Sequence, residues 1–240
     1  MSNPRPGLQQ PIQAILFDKD GTLIDFQASW GPWAVQAIER MCGDDRDHQT
    51  RVAKVLGVDM ANASFLADSR VIAGTPDDVL ELLSPCFPQR TDAEILRWLE
   101  PQPEDFNPVA VPRLTEVCEW LTGRGLSLAV VTNDFEVAAK DQLVSIGIET
   151  HFREVIGYDS GYGGKPAPDP CRGAAARLGI APEACVMVGD SLHDLEAGRA
   201  AGMLCVGVLT GVATRGDLDA HADVVLESIA ELPDWLSTLD

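Results

Sequence analysis

From Pro112 onward this chain alternates helical and strand-like stretches, and that alternation confines it to folds built on a parallel sheet. The spacing predicts helices over 113–121, 135–146, 169–178, 195–201 and 229–236, four of them stopped by Gly123, Gly147, Gly179 and Gly202. Apolar strands are expected over 126–131, 154–157, 185–188, 204–208 and 222–225. One more strand is read near the N-terminus, over 12–17. The expected fold class is therefore α/β, with a Rossmann-like parallel-sheet core.

Polar residues cluster where these strands end. Asp18 and Asp20 follow the first strand, Thr132 and Asn133 the second, and Asp190 with Asp194 a later one. In an open parallel sheet those carboxyl ends share one crevice, where ligands bind. Two aspartates as close as Asp18 and Asp20 repel, so they need a cation, a shared proton or strong hydrogen bonds. Gly21 and Thr22 follow at once, and Gly21 lets the backbone turn sharply with its amide hydrogens facing one space. Asp18, Asp20 and Asp190 together make an oxygen-rich site suited to Mg²⁺. Lys165 supplies the opposite sign, in the Gly- and Pro-rich loop Gly161-Tyr162-Gly163-Gly164-Lys165-Pro166-Ala167-Pro168. That loop is not a phosphate-binding P-loop, because Asp159 and Pro166 stand where Gly and Ser or Thr are needed.

Residues 28–100 differ in character, reading as helices broken by polar turns. Trp30, Trp33, Ala34, Ala37, Ile38 and Met41 follow a helical spacing, and both tryptophans are expected in the core of this segment rather than as a stacking platform. Thr75-Pro76-Asp77-Asp78 and Thr91-Asp92-Ala93-Glu94 are helix starts. The segment reads as an all-helical cap over 28–100, inserted into a core made of 1–25 and 112–240, with a proline-rich connector over 101–111.

Composition excludes several classes. Of the 240 residues 45% are hydrophobic and 23% charged, enough for a real core, while the net charge of −19 argues against nucleic acid and anionic membrane surfaces. Any phosphate site must then be locally positive. The six cysteines are scattered, which disfavours zinc and disulfides, and without an apolar leader or membrane-length run a cytoplasmic setting is expected.

The motifs Asp18-Lys19-Asp20-Gly21-Thr22-Leu23, Val131-Thr132-Asn133, Lys165-Pro166 and Gly189-Asp190-Ser191-Leu192-His193-Asp194 stand in the order found in the haloacid dehalogenase superfamily. The chain resembles its phosphatase branch, and residues 189–215 resemble the phosphoglycolate-phosphatase-like subgroup. The resemblance implies Asp18 as nucleophile, Asp20 as general acid and base, and Thr132, Asn133 and Lys165 as phosphoryl ligands. It implies Mg²⁺ held by Asp18, the Asp20 carbonyl and Asp190, with Asp194 in support. The implied substrate is a small phosphorylated metabolite, with 2-phosphoglycolate one candidate. Dehalogenation is disfavoured by Asp20, whereas a sugar phosphomutase and a catalytically silent binding protein remain as alternatives. Lys19 fills a variable position with no evident role, and His193 reads as a turn residue without a partner. The oligomeric state is left open.

Overall fold

The computed structural model describes residues 11–100 and 106–239; residues 1–10 of the expected core and 101–105 of the expected connector lie outside the described residues. Strand β1 (Ala14–Phe17) is followed by the insertion. The insertion contains α1 (Phe26–Cys42), α2 (Arg46–Leu56), β2 (Val58–Asp59), β3 (Ser64–Phe65), α3 (Pro76–Leu83) and α4 (Asp92–Leu99). The remaining elements are α5 (Leu114–Gly123), β4 (Ser127–Val131), α6 (Glu136–Ser145), β5 (Phe152–Ile156), α7 (Asp169–Leu178), β6 (Cys185–Gly189), α8 (Leu192–Ala201), β7 (Leu204–Val208), α9 (Arg215–Leu218), β8 (Val224–Leu226) and α10 (Leu232–Ser237).

Six strands form one parallel sheet in the order β5-β4-β1-β6-β7-β8. β1 lies near its centre, with Ala14 and Phe17 in register with Ser127 and Val130 on one side and with Cys185 and Val188 on the other. Alternate β1 side chains enter opposite cores, as the two-residue period requires. Ile15 and Phe17 join Leu114 and Val117 of α5 and Leu232 of α10. Ala14 and Leu16 join Cys171 and Ala174 of α7 and Ala197 of α8. Cover on both faces explains why the inner strands read as unbroken apolar runs.

The insertion builds a separate apolar cluster around Trp33, Ile38, Leu83, Ile95 and Phe106. Its α3 and α4 open at the two expected helix starts, and each is a capping box, Thr75 with Asp78 and Thr91 with Glu94. Two features were not anticipated. Helix α2 is polar over its first half and was hidden by that, although Asp45 caps its start and a left-handed Gly57 ends it. The short antiparallel pair β2–β3 adds a ribbon to an otherwise helical insertion. The two segments joining insertion to sheet pair with each other: Asp25 N–H donates to the Val109 carbonyl (2.8 Å) and Val111 N–H to that of Leu23 (3.0 Å). No helix among the described residues is long and apolar enough to cross a membrane.

Candidate active site

Three of the four motifs follow directly from strand ends at the middle of the sheet. Asp18 follows β1, Thr132 and Asn133 follow β4, and Asp190 follows β6, next to the place where successive strands change direction across the sheet. The loop before α7 brings in Lys165. Its Nζ donates to Asp18 Oδ1, Asp194 Oδ1 and the Val131 carbonyl, each at 2.6 Å. The loop itself is pinned by Asn133, whose side chain accepts from Lys165 N–H (2.7 Å) and donates to the Lys165 carbonyl (2.9 Å). The Asn133 side chain also donates to the Ala73 carbonyl of the insertion (3.0 Å), so its amide is spent on architecture. What Asn133 has left to offer an anion is its main-chain N–H.

Asp194 serves two structures at once. Its Oδ1 accepts from Lys165, while Oδ2 caps α8 by accepting from Ser191 N–H (3.0 Å) and Oγ (2.7 Å). Asp190 is buried, with the Thr22 hydroxyl at 3.2 Å as its hydrogen-bond partner among the described residues. Space for its carboxylate exists because residues 21 and 211 are glycines; a β-carbon at either would collide with it. Gly21 also has φ +88°, a left-handed conformation that admits glycine readily. Thr210, beside Gly211, donates to the Gly21 carbonyl (2.5 Å) and ties this loop to the first motif. Thr210 and Gly211 fall within the 189–215 stretch that carries the family resemblance, but nothing local singles them out as site residues.

Burial pushes the Asp18 carboxyl up to about 7; Lys165 offsets part of this, and Asp194 and Asp20 add to it. Burial, reinforced by Asp18 and Asp194, holds Asp190 well above the usual carboxylate range. Lys165 is held charged: burial opposes its charge, but Asp18 and Asp194 outweigh that cost and raise its pKa. Keeping such buried carboxylates ionised calls for a cation. Oxygens of Asp18, Asp190 and Asp194 all lie within 4.8 Å of one another, and this hard, all-carboxylate donor set fits Mg²⁺.

Asp20 stands apart from that cluster. Its carboxylate is held by Lys19 Nζ (2.6 Å) and by the indole N–H of Trp30 (2.5 Å), although it lines the same cavity as Asp18. Lys19, to which the sequence assigns no role, is fully buried. It pairs with Asp134 (3.0 Å), donates to the Gln142 side-chain oxygen and lies over the Trp30 ring, 5.3 Å from its centroid. Nothing in the neighbouring sequence gives this lysine a role; only the arrival of α6 and α1 shows it to be interior. Its removal leaves two largely buried carboxylates without their cation. Lys19→Met should therefore lower unfolding stability by about 3–5 kcal/mol in urea titrations. A loss below about 1 kcal/mol, the range of exposed pairs, would show that the pair contributes nothing net.

The two tryptophans divide their roles. Trp33 is buried in the insertion's core, whereas Trp30 packs on that core and reaches Asp20. His193, expected to be an unpartnered turn residue, lies in the first turn of α8 with Nδ1 3.0 Å from the Ala73 carbonyl. The same carbonyl accepts from Asn133, so both motif residues grip the insertion at one point.

A family model of haloacid dehalogenase-like hydrolases matches residues 12–202. The phosphoglycolate phosphatase of Escherichia coli (strain K12) is 30% identical over 239 residues, covering 93% of this chain and 92% of that protein. The phosphoglycolate phosphatase of Neisseria meningitidis serogroup A is 30% identical over 230 residues, covering 94% and 89%. The fold is shared with the crystal structure of a predicted phosphoglycolate phosphatase from Haemophilus somnus, with a TM-score of 0.67 at 20% identity over 95% and 99% of the two chains. With the matched stretch carrying Asp18, the buried Lys165 and the acidic cluster in one crevice, the chain belongs to the haloacid dehalogenase-like hydrolases, among the relatives of phosphoglycolate phosphatase.

Proposed function

We propose that this chain is a Mg²⁺-dependent phosphatase that hydrolyses phosphate monoesters of small molecules through an aspartyl-phosphate on Asp18. The contact of Lys165 Nζ with both Asp18 and Asp194 at 2.6 Å carries the reading, because it places a fixed cation on the attacking carboxylate. Phosphoryl transfer asks a protein mainly for positioning and for neutralisation of charge. In the first step an Asp18 oxygen attacks phosphorus, and the departing ester oxygen takes a proton from Asp20. In the second, Asp20 takes a proton from water, the water oxygen attacks phosphorus, and phosphate leaves with Asp18 restored. Lys165, the Thr132 hydroxyl and the Asn133 main-chain N–H hold the phosphoryl oxygens. Trp30 and Lys19 hold the Asp20 carboxylate in place beside the cavity. Asp18, the Asp20 main-chain carbonyl and Asp190, with Asp194 adjoining, would hold Mg²⁺, which would supply positive charge against the phosphoryl group and keep Asp18 ionised. Residues 28–100 act as the cap over this crevice, joined to it at Ala73 and Trp30.

Phosphate release from p-nitrophenyl phosphate tests the reading. It should cease in excess chelator and return when Mg²⁺ is restored. Asp190→Asn should raise the half-saturating Mg²⁺ concentration by about 10–100-fold, the scale on which metal sites respond to altered support. Full activity in excess chelator would overturn the metal's role.

A further inference from the structure

The floor of the active-site cavity is charged, but the wall that the insertion contributes is not. That wall is built from Trp30, Trp33, Ala37, Met41, Leu56 and Phe65, with further aliphatic side chains beside them. None of the insertion's cations, Arg40, Arg46, Arg51, Lys54, Arg70, Arg90 or Arg97, lines the cavity. The stretch 101–105 is Pro-Gln-Pro-Glu-Asp, with no basic residue to add. Of the two lysines at the floor, Lys165 lines the cavity and is bound to Asp18 and Asp194, while Lys19 is bound to Asp20 and Asp134. His193 lines the cavity from the sheet side with its Nδ1 on the Ala73 carbonyl. The cavity volume is about 130 Å³, room for roughly ten water-sized positions.

From this lining we infer that the alcohol portion of the substrate is uncharged and largely apolar, an alkyl or aryl phosphate rather than the phosphate of a carboxylic acid. The inference rests on the phosphatase reading above and specifies its leaving group. A carboxylate in this wall would lose its water and gain no cation from the insertion, a cost that only a paired charge offsets. An apolar chain gains by the same burial.

Steady-state kcat/KM over a panel of esters with Mg²⁺ tests this. Primary alcohols beyond ethanol have nearly equal acidity, so ethyl, butyl, hexyl and octyl phosphate differ in burial and not in leaving-group chemistry. Apolar burial of ~0.8 kcal/mol per methylene predicts a rise of up to about fourfold per added carbon until the cavity is full. Isobutyl phosphate matches 2-phosphoglycolate in shape, with a neutral isopropyl group in place of the carboxylate, and should exceed it at least tenfold. Ala37 lies two turns of α1 from Trp30, roughly 10 Å along the helix. Ala37→Leu should cut the octyl-to-ethyl ratio of kcat/KM about tenfold or more, a ratio that is independent of the fraction of folded enzyme. A flat chain-length series with 2-phosphoglycolate equal to or better than isobutyl phosphate would overturn the inference and leave the phosphatase reading intact. An unchanged octyl-to-ethyl ratio in Ala37→Leu would also overturn it. No phosphate release from any ester, p-nitrophenyl phosphate included, would overturn both.

Discussion

Asp18→Asn should abolish phosphate release from every monoester, by on the order of 10⁴-fold or more, the scale of losses when a covalent nucleophile is removed. An amide at residue 18 keeps the shape of the side chain but cannot attack phosphorus at a useful rate. Lys165 retains Asp194 and the Val131 carbonyl as partners, so the fold should survive the change. Rapid-quench measurements at enzyme concentrations high enough to count sites should show neither a first-turnover burst nor steady turnover. They should also show no phosphorylated protein, whereas wild-type enzyme quenched in acid should carry label on residue 18. A burst in Asp18→Asn equal to that of the wild type would mean that another group accepts the phosphoryl moiety.

The second large effect separates the two chemical steps. Asp20→Asn should lower steady turnover by about 10²–10⁴-fold, the usual worth of general acid–base help. Its burst, however, should depend on the leaving group. Nitrophenolate is a weak base and leaves unaided, so about one equivalent per site should appear quickly from p-nitrophenyl phosphate. Turnover should then nearly stop, because the aspartyl-phosphate needs Asp20 to activate water. An alkoxide needs the proton from Asp20 in the first step, so alkyl phosphates should give no burst. The asparagine oxygen still accepts from Trp30, and Lys19 keeps Asp134, so the local packing is conserved. Equal bursts from aryl and alkyl esters would remove Asp20 from the role of acid.

Much of this site was written in local pattern. A strand followed by paired aspartates, a second strand ending in Thr132 and Asn133, and a third ending in Asp190 are each short, contiguous signals. Parallel-sheet topology then requires their ends to meet. Lys165 was legible for a similar reason, since a lone cation among glycines and prolines beside an acidic crevice has few other uses. The capping boxes of α3 and α4 were equally local, each contained within four residues.

What the sequence by itself determined, then, was the α/β core, the interruption of that core after β1, and the residues that its strand ends deliver to one crevice. These follow from periodicity and from caps, which act over a single turn or strand. Tertiary structure alone decided which charges are interior and what faces them. Lys19 is buried because Gln142 and Asp134 of the β4–α6 region and Trp30 of α1 close over it, partners separated from it by up to 123 residues. The same closure gives the Asp20 carboxylate Lys19 and Trp30 as partners, and the Ala73 carbonyl of the insertion partners His193. The apolar wall of the cavity was hidden for a related reason. Residues that read only as the insertion's own core, such as Ala37, Met41 and Leu56, also border the space that opens onto Asp18. Burial is a property of the surroundings, and the surroundings of these side chains come from distant parts of the chain.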